Sequence, residues 1–106
     1  MRITYNKLIR DKIPEIIKYS GKKFKVEVMS EDDYRKALLN KLVEEAHEAK
    51  KTEPNKLVIE LADLLEVVDA VIEEYDLSTN EVILIKERRR EERGGFEKRL
   101  RLLWTD

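Results

Sequence analysis

The sequence predicts a mainly α-helical protein. Three long helices and a short N-terminal one form a bundle, with a minor two-stranded β ribbon, and oligomerisation completes it. Three observations lead there. Apolar residues recur every three or four positions over two long stretches, and a third carries one apolar run behind a helix start. Each stretch is bracketed by helix start and stop residues. Strict apolar/polar alternation is confined to two short segments. A chain of 106 residues makes one domain, 1–106, of a size that is marginal alone.

The elements follow in chain order. Asp11 is placed to cap a short helix from Lys12 to about Tyr19, with Pro14 tolerated in its first turn and Gly21 ending it. "KFKVEVMS" alternates Phe24, Val26 and Val28 with Lys25 and Glu27, the period of a half-buried strand. Ser30 caps a long helix to about Lys51, with Glu31, Asp32 and Asp33 at its positive end. "TEPN" interrupts, and Pro54 opens a helix to about Tyr75. Ser78 or Thr79 caps a third, which Gly94-Gly95 stops after Arg93. The tail "FEKRLRLLW" alternates Leu100, Leu102 and Trp104 with Arg101 and Leu103, and is the natural partner of the Phe24–Val28 strand.

Composition excludes several classes. The net charge is −1 with 42% charged residues, too balanced for a dedicated nucleic-acid-binding module. No cysteine is present, so disulfides and thiolate metal sites are excluded. No apolar run is long enough to span a bilayer, and "MRITYNKLIRDK" lacks the core of a signal peptide. The expected location is the cytoplasm. The chain has no Gln and is rich in Lys, Glu and Arg, a thermophile-like composition.

Several acids sit on faces that should be apolar. At about 100° per residue, Tyr34, Leu38, Leu42 and Ala49 form a stripe with Glu45 inside it and Glu48 at its edge. Glu44 lies further round and His47 points away. In the next helix Leu57, Leu61, Leu64, Leu65, Val68 and Ile72 make one broad apolar face, while Val67, Ala70 and Val71 make a second. Glu60 and Asp63 share that second face. Glu66 and Asp69 repeat the E-x-x-D spelling on what reads as a solvated face. Helices joined by a short turn are usually antiparallel neighbours, so Glu45 and Glu48 face Glu60 and Asp63. Four clustered carboxylates repel, so either their pKa values rise or a cation neutralises the site. All-oxygen ligands suit Mg²⁺, Mn²⁺ or Ca²⁺, and Mg²⁺ usually also takes phosphate oxygens from a substrate. A di-iron bundle needs E-x-x-H on two helices, and only Glu44–His47 has that spacing. Acidic pairs at spacing three are also common on plain solvated helices.

"EEAHE" followed by "ELAD" resembles the E-E-x-x-E … E-x-x-D signature of the MazG-like all-α nucleotide pyrophosphohydrolases, the superfamily of phosphoribosyl-ATP pyrophosphohydrolase. "YNKLIRDKIPEII" and "ERGGFEKRL" resemble its predicted house-cleaning branch, which acts on noncanonical nucleoside triphosphates. The resemblance implies Mg²⁺-dependent cleavage of a triphosphate to monophosphate and pyrophosphate, with Mn²⁺ as a substitute, and bundles shared between subunits of a homodimer or homotetramer. It implies Glu45, Glu48, Glu60 and Asp63 as metal ligands, and Glu44 as a supporting or water-activating acid.

Lys7, Arg10 and Lys12, with Lys86 and Arg93, are the candidates to contact phosphate; Gly94 and Gly95 permit close backbone approach, and Phe96 can stack on a base. Lys7 and Arg10 read equally as surface salt-bridge partners. The glycine pair reads equally as a plain helix stop, and the Arg88–Arg90 run as a solvated helix end. The rival to an enzyme is a helical interaction module with a structural cation site. Neither nucleic acid nor membrane is an expected partner.

Overall fold

In the computed structural model, which describes residues 1–106, the chain is mainly helical. Its helices are α1 (Ile13–Tyr19), α2 (Glu31–Lys51), α3 (Leu57–Glu74) and α4 (Thr79–Arg93), with a 3₁₀ turn at Pro54–Lys56. No helix is long and apolar enough to cross a membrane. Two compact units make up the chain, Met1–Tyr75 and Asp76–Asp106. The boundary falls where Asp76 adopts a left-handed φ of 54°, a conformation that Asp tolerates better than most side chains.

Local chemistry explains the helix ends. The Ser30 hydroxyl accepts from the Asp33 amide at 3.2 Å, and Ser78 accepts from the Glu81 amide at 3.2 Å. These caps satisfy amides that have no partner within the helix. α4 stops at Gly94, whose φ of 82° suits glycine and whose N–H donates to the Arg90 carbonyl at 2.7 Å. α1 begins differently from expectation. Lys12, not Asp11, holds the cap position and offers no side-chain bond. The Ile13 amide instead donates to the Arg10 carbonyl, so a turn leads into the helix and no extended residue presents an oxygen. α3 starts three residues later than expected, because the chain leaves Pro54 through the tighter turn.

The expected ribbon is not formed. Neither 24–28 nor 100–104 is a strand, and the residues of both segments are exposed. The physical reason is that a lone two-stranded ribbon without a packed face is marginal in water.

The first unit is built on α2 against α3. Arg35 near the start of α2 donates to the Glu74 side chain at the end of α3 (3.3 Å) and also pairs with Glu31 at 2.9 Å. Its guanidinium lies 5.0 Å from the Tyr75 ring centroid. Further along, Glu45 meets Glu60 and Asp63. This pairing order makes the helices antiparallel. The core is thin: Leu38, at 2% exposure, with Val67 and Ile72. The face of α3 turned to α2 is the one carrying Val67 and the acids, while Leu57, Leu61 and Leu65 of the broader apolar face stay exposed.

Candidate metal centre

α2 and α3 bring acids to the seam between them. Glu45 sits within the stripe that buries Leu38, so packing α2 carries its carboxylate inward. Glu60 and Asp63 precede Val67 on the buried face of α3, one turn apart. One carboxylate oxygen from each of Glu45, Glu60 and Asp63 lies within 4.8 Å of the others, and all three residues are half-buried. Oxygens on opposite sides of one hard ion are separated by about 4–5 Å, twice the metal–oxygen distance for Mg²⁺ to Ca²⁺. The donor set and its spread therefore fit such an ion. The second E-x-x-D copy, Glu66 and Asp69, is exposed.

Glu48, the fourth expected ligand, is not part of this group. Its carboxylate pairs with Lys51 at 3.2 Å and is 44% exposed. It follows Glu45 by three residues, a spacing that puts the β-carbons about 5–6 Å apart.

Glu44 and Glu45 are sequence neighbours with opposite electrostatics. Glu44 accepts from Lys7 at 3.0 Å and Lys41 at 3.2 Å. The Lys7 hydrogen bond is the main cause holding the Glu44 pKa below its ordinary 4.5, and the same bond raises that of Lys7. As placed, Glu44 anchors Lys7 and Lys41 beside the converging acids. Glu45 goes the other way. Burial raises its pKa, the nearby Asp63, Glu44 and Glu60 add to this, and Lys41 at 3.7 Å offsets part of it.

Glu45 therefore opposes folding at neutral pH. Its folded-state pKa lies above the unfolded one, so the penalty is present above the raised pKa and disappears as pH falls through it. Glu45→Gln is expected to raise the melting point of the metal-free protein at pH 7. Thermal melts should show that gain shrinking as pH drops below the raised pKa. An equal or lower melting point at pH 7 would contradict this electrostatic picture.

The N-terminal segment supplies two cations. Asn6 turns the chain with a φ of 47°, which Asn tolerates, just before Lys7 reaches Glu44. Arg10 Nη2 donates to Asp63 Oδ1 at 2.9 Å, across 53 residues of sequence. Both basic residues are thus salt-bridge partners of candidate site acids. Lys12 is exposed at the start of α1. Lys41 was not foreseen. It is 15% exposed at its side chain and lies between Glu44 and Glu45. Its spacing of three and four residues from those acids was the available signal.

Lys86, Arg93, Gly94, Gly95 and Phe96 belong to the second unit and are exposed. There, Gly94 ends α4, and a Cβ on Gly95 would meet Arg90 Nη1 at 2.9 Å. The missing side chain leaves room for Arg90 to pair with Glu97 at 3.2 Å. No protein-family model, curated protein or solved structure matches the chain.

Proposed function

We propose that the chain is a divalent-metal-dependent nucleoside triphosphate pyrophosphohydrolase. It would convert a nucleoside triphosphate and water to the monophosphate and pyrophosphate, and would serve to clear noncanonical nucleotides from the cytoplasm. The observation that carries this reading is the meeting of Glu45, Glu60 and Asp63 within 4.8 Å, beside basic side chains on Glu44 and Asp63. The resemblance of "EEAHE … ELAD" to the pyrophosphohydrolase signature supports it independently.

Mg²⁺, or Mn²⁺ in its place, would supply Lewis acidity and a water acidic enough to attack near neutral pH. The chain's own groups do the rest. Glu45, Glu60 and Asp63 would hold the ion, with Glu48 as a fourth ligand if it leaves Lys51. Glu44 keeps Lys7 at the rim of the site. Lys7 and Arg10 balance charge that builds on the departing pyrophosphate. The bond formed joins the water oxygen to the α-phosphorus, and the bond broken is the one from the α-phosphorus to the α–β bridging oxygen. Pyrophosphate leaves with the electron pair, and the proton lost by the attacking water passes to solvent.

One observation favours the rival reading. Lys7, Arg10 and Lys41 already pair with these acids, as in a purely structural charge network. A panel of standard and damaged nucleoside triphosphates, assayed for pyrophosphate release with Mg²⁺, separates the two. Turnover of at least one substrate is expected, and none with any substrate would favour the structural network.

The same reading makes the protein a homodimer or homotetramer. Leu61 and Leu65 are 46% and 62% exposed on α3, and an exposed apolar helix face is a surface a second copy can cover. Leu65→Lys is expected to reduce the light-scattering mass to that of one chain with helical content retained. An unchanged mass, or a wild type already monomeric, would remove this face from the assembly.

A further inference from the structure

The pair between Arg10 and Asp63 changes how the metal site would load, an inference that rests on the pyrophosphohydrolase reading. Asp63 is one of the three acids that converge, and it is also the acceptor for Arg10. A divalent ion held by Asp63 would stand on the same small carboxylate as the guanidinium. Two like charges that close repel. Occupancy by one therefore weakens the other, and the coupling is reciprocal.

The two N-terminal pairs are not equivalent. Lys7 bonds Glu44, whose other oxygen accepts from the well-buried Lys41, and neither Glu44 oxygen belongs to the converging group. The Arg10 pair is more open, with side chains 58% and 38% exposed. Ion pairs of such exposure are weak and readily exchanged. Lys7 and Arg10 are close in sequence, so Lys7 holds the segment at the site when Arg10 moves.

We propose that Arg10 is a displaceable counter-ion. It competes with the divalent ion for Asp63, yields that carboxylate on loading, and, held nearby through Lys7 on Glu44, is delivered to the phosphate chain. The metal and the substrate's anionic groups are thereby coupled. Arg10 lowers affinity for the metal alone, and recovers that cost when a polyphosphate gives the guanidinium a new partner. An arginine suits this exchange because the same planar fork serves carboxylate and phosphate.

The test is Mn²⁺ binding to the full chain, read from the electron paramagnetic resonance signal of the free ion, with no turnover involved. Arg10→Ala should tighten Mn²⁺ binding about fivefold or more, the lower end of typical coupling between linked sites. Arg10→Lys should stay near wild type. Lys12→Ala removes an equal charge that makes no such pair, and should change affinity much less. In an Asp63→Asn background the gain from Arg10→Ala should shrink to that of Lys12→Ala. Adding inorganic triphosphate should tighten Mn²⁺ binding more in wild type than in Arg10→Ala. Equal Mn²⁺ affinity in wild type and Arg10→Ala, or equal gains from Arg10→Ala and Lys12→Ala, would overturn the exchange while leaving the metal site standing. Failure of every variant and of wild type to bind Mn²⁺ at millimolar concentration would overturn the site itself, and the exchange with it.

Discussion

Asp63→Asn should lower pyrophosphate release by at least about 10²-fold, since a metal's contribution to stabilising transition-state charge is worth several kcal/mol. Asparagine keeps the shape of aspartate and still offers an oxygen to Arg10, so the α2–α3 packing should survive. The circular dichroism spectrum and melting midpoint should stay close to wild type. Glu45→Gln should show a similar loss of activity while melting higher, because the carboxylate that grips the ion is also the one whose burial opposes folding. Loss of activity together with a gain in stability separates a site residue from one that merely supports the fold. Glu66→Gln and Asp69→Asn are the internal controls. Both residues are exposed in the second E-x-x-D copy, and both variants should release pyrophosphate at nearly the wild-type rate. A large loss at Asp69 with none at Asp63 would move the site to the other face of α3.

Leu38→Ala should be the most destabilising single truncation in the first unit, at about 2–5 kcal/mol. Leu38 is the most buried side chain of the chain, at 2% exposure, and only Val67 and Ile72 are otherwise buried among the apolar residues. A core with so few members cannot share the loss of one. Small domains hold only about 5–15 kcal/mol in total, so the variant should unfold at markedly lower urea and lose metal binding as the α2–α3 seam opens. The exposed Leu39, one residue on, provides the contrast, and Leu39→Ala should change the urea midpoint little. Equal effects at the two positions would mean that the seam lies elsewhere on α2.

Much of this architecture is legible residue by residue. Ser30 and Ser78 each stand where a helix start is expected, and each caps a helix. The Gly94 stop and the break at Pro54 are equally local. Helical angles separate Glu60 and Asp63 from Glu66 and Asp69, and burial divides the two pairs the same way. The departures share a physical origin. Alternation in 24–28 and 100–104 marks segments that can pair, but pairing is a long-range event and a two-stranded ribbon gains little from it. At the start of α1, a turn hydrogen bond from Ile13 to Arg10 competes with an Asp11 cap and prevails, and propensity does not rank such close alternatives. The acid-bearing face of α3 meets α2, as the expected facing of Glu45 with Glu60 and Asp63 requires, while Leu57, Leu61 and Leu65 on the broader face stay exposed.

The amino-acid order by itself determined the helices, most of their caps and the face of each on which the acids lie, since these depend on neighbours within one or two turns. Tertiary structure alone decided that Glu45 meets Glu60 and Asp63 while Glu48 turns to Lys51. It also decided that Lys7 and Arg10 close onto acids 37 and 53 residues away. Partners at such range are chosen by how two helices dock and where a turn releases the chain. Charges attract in every direction alike, and only packing selects which of them come within reach.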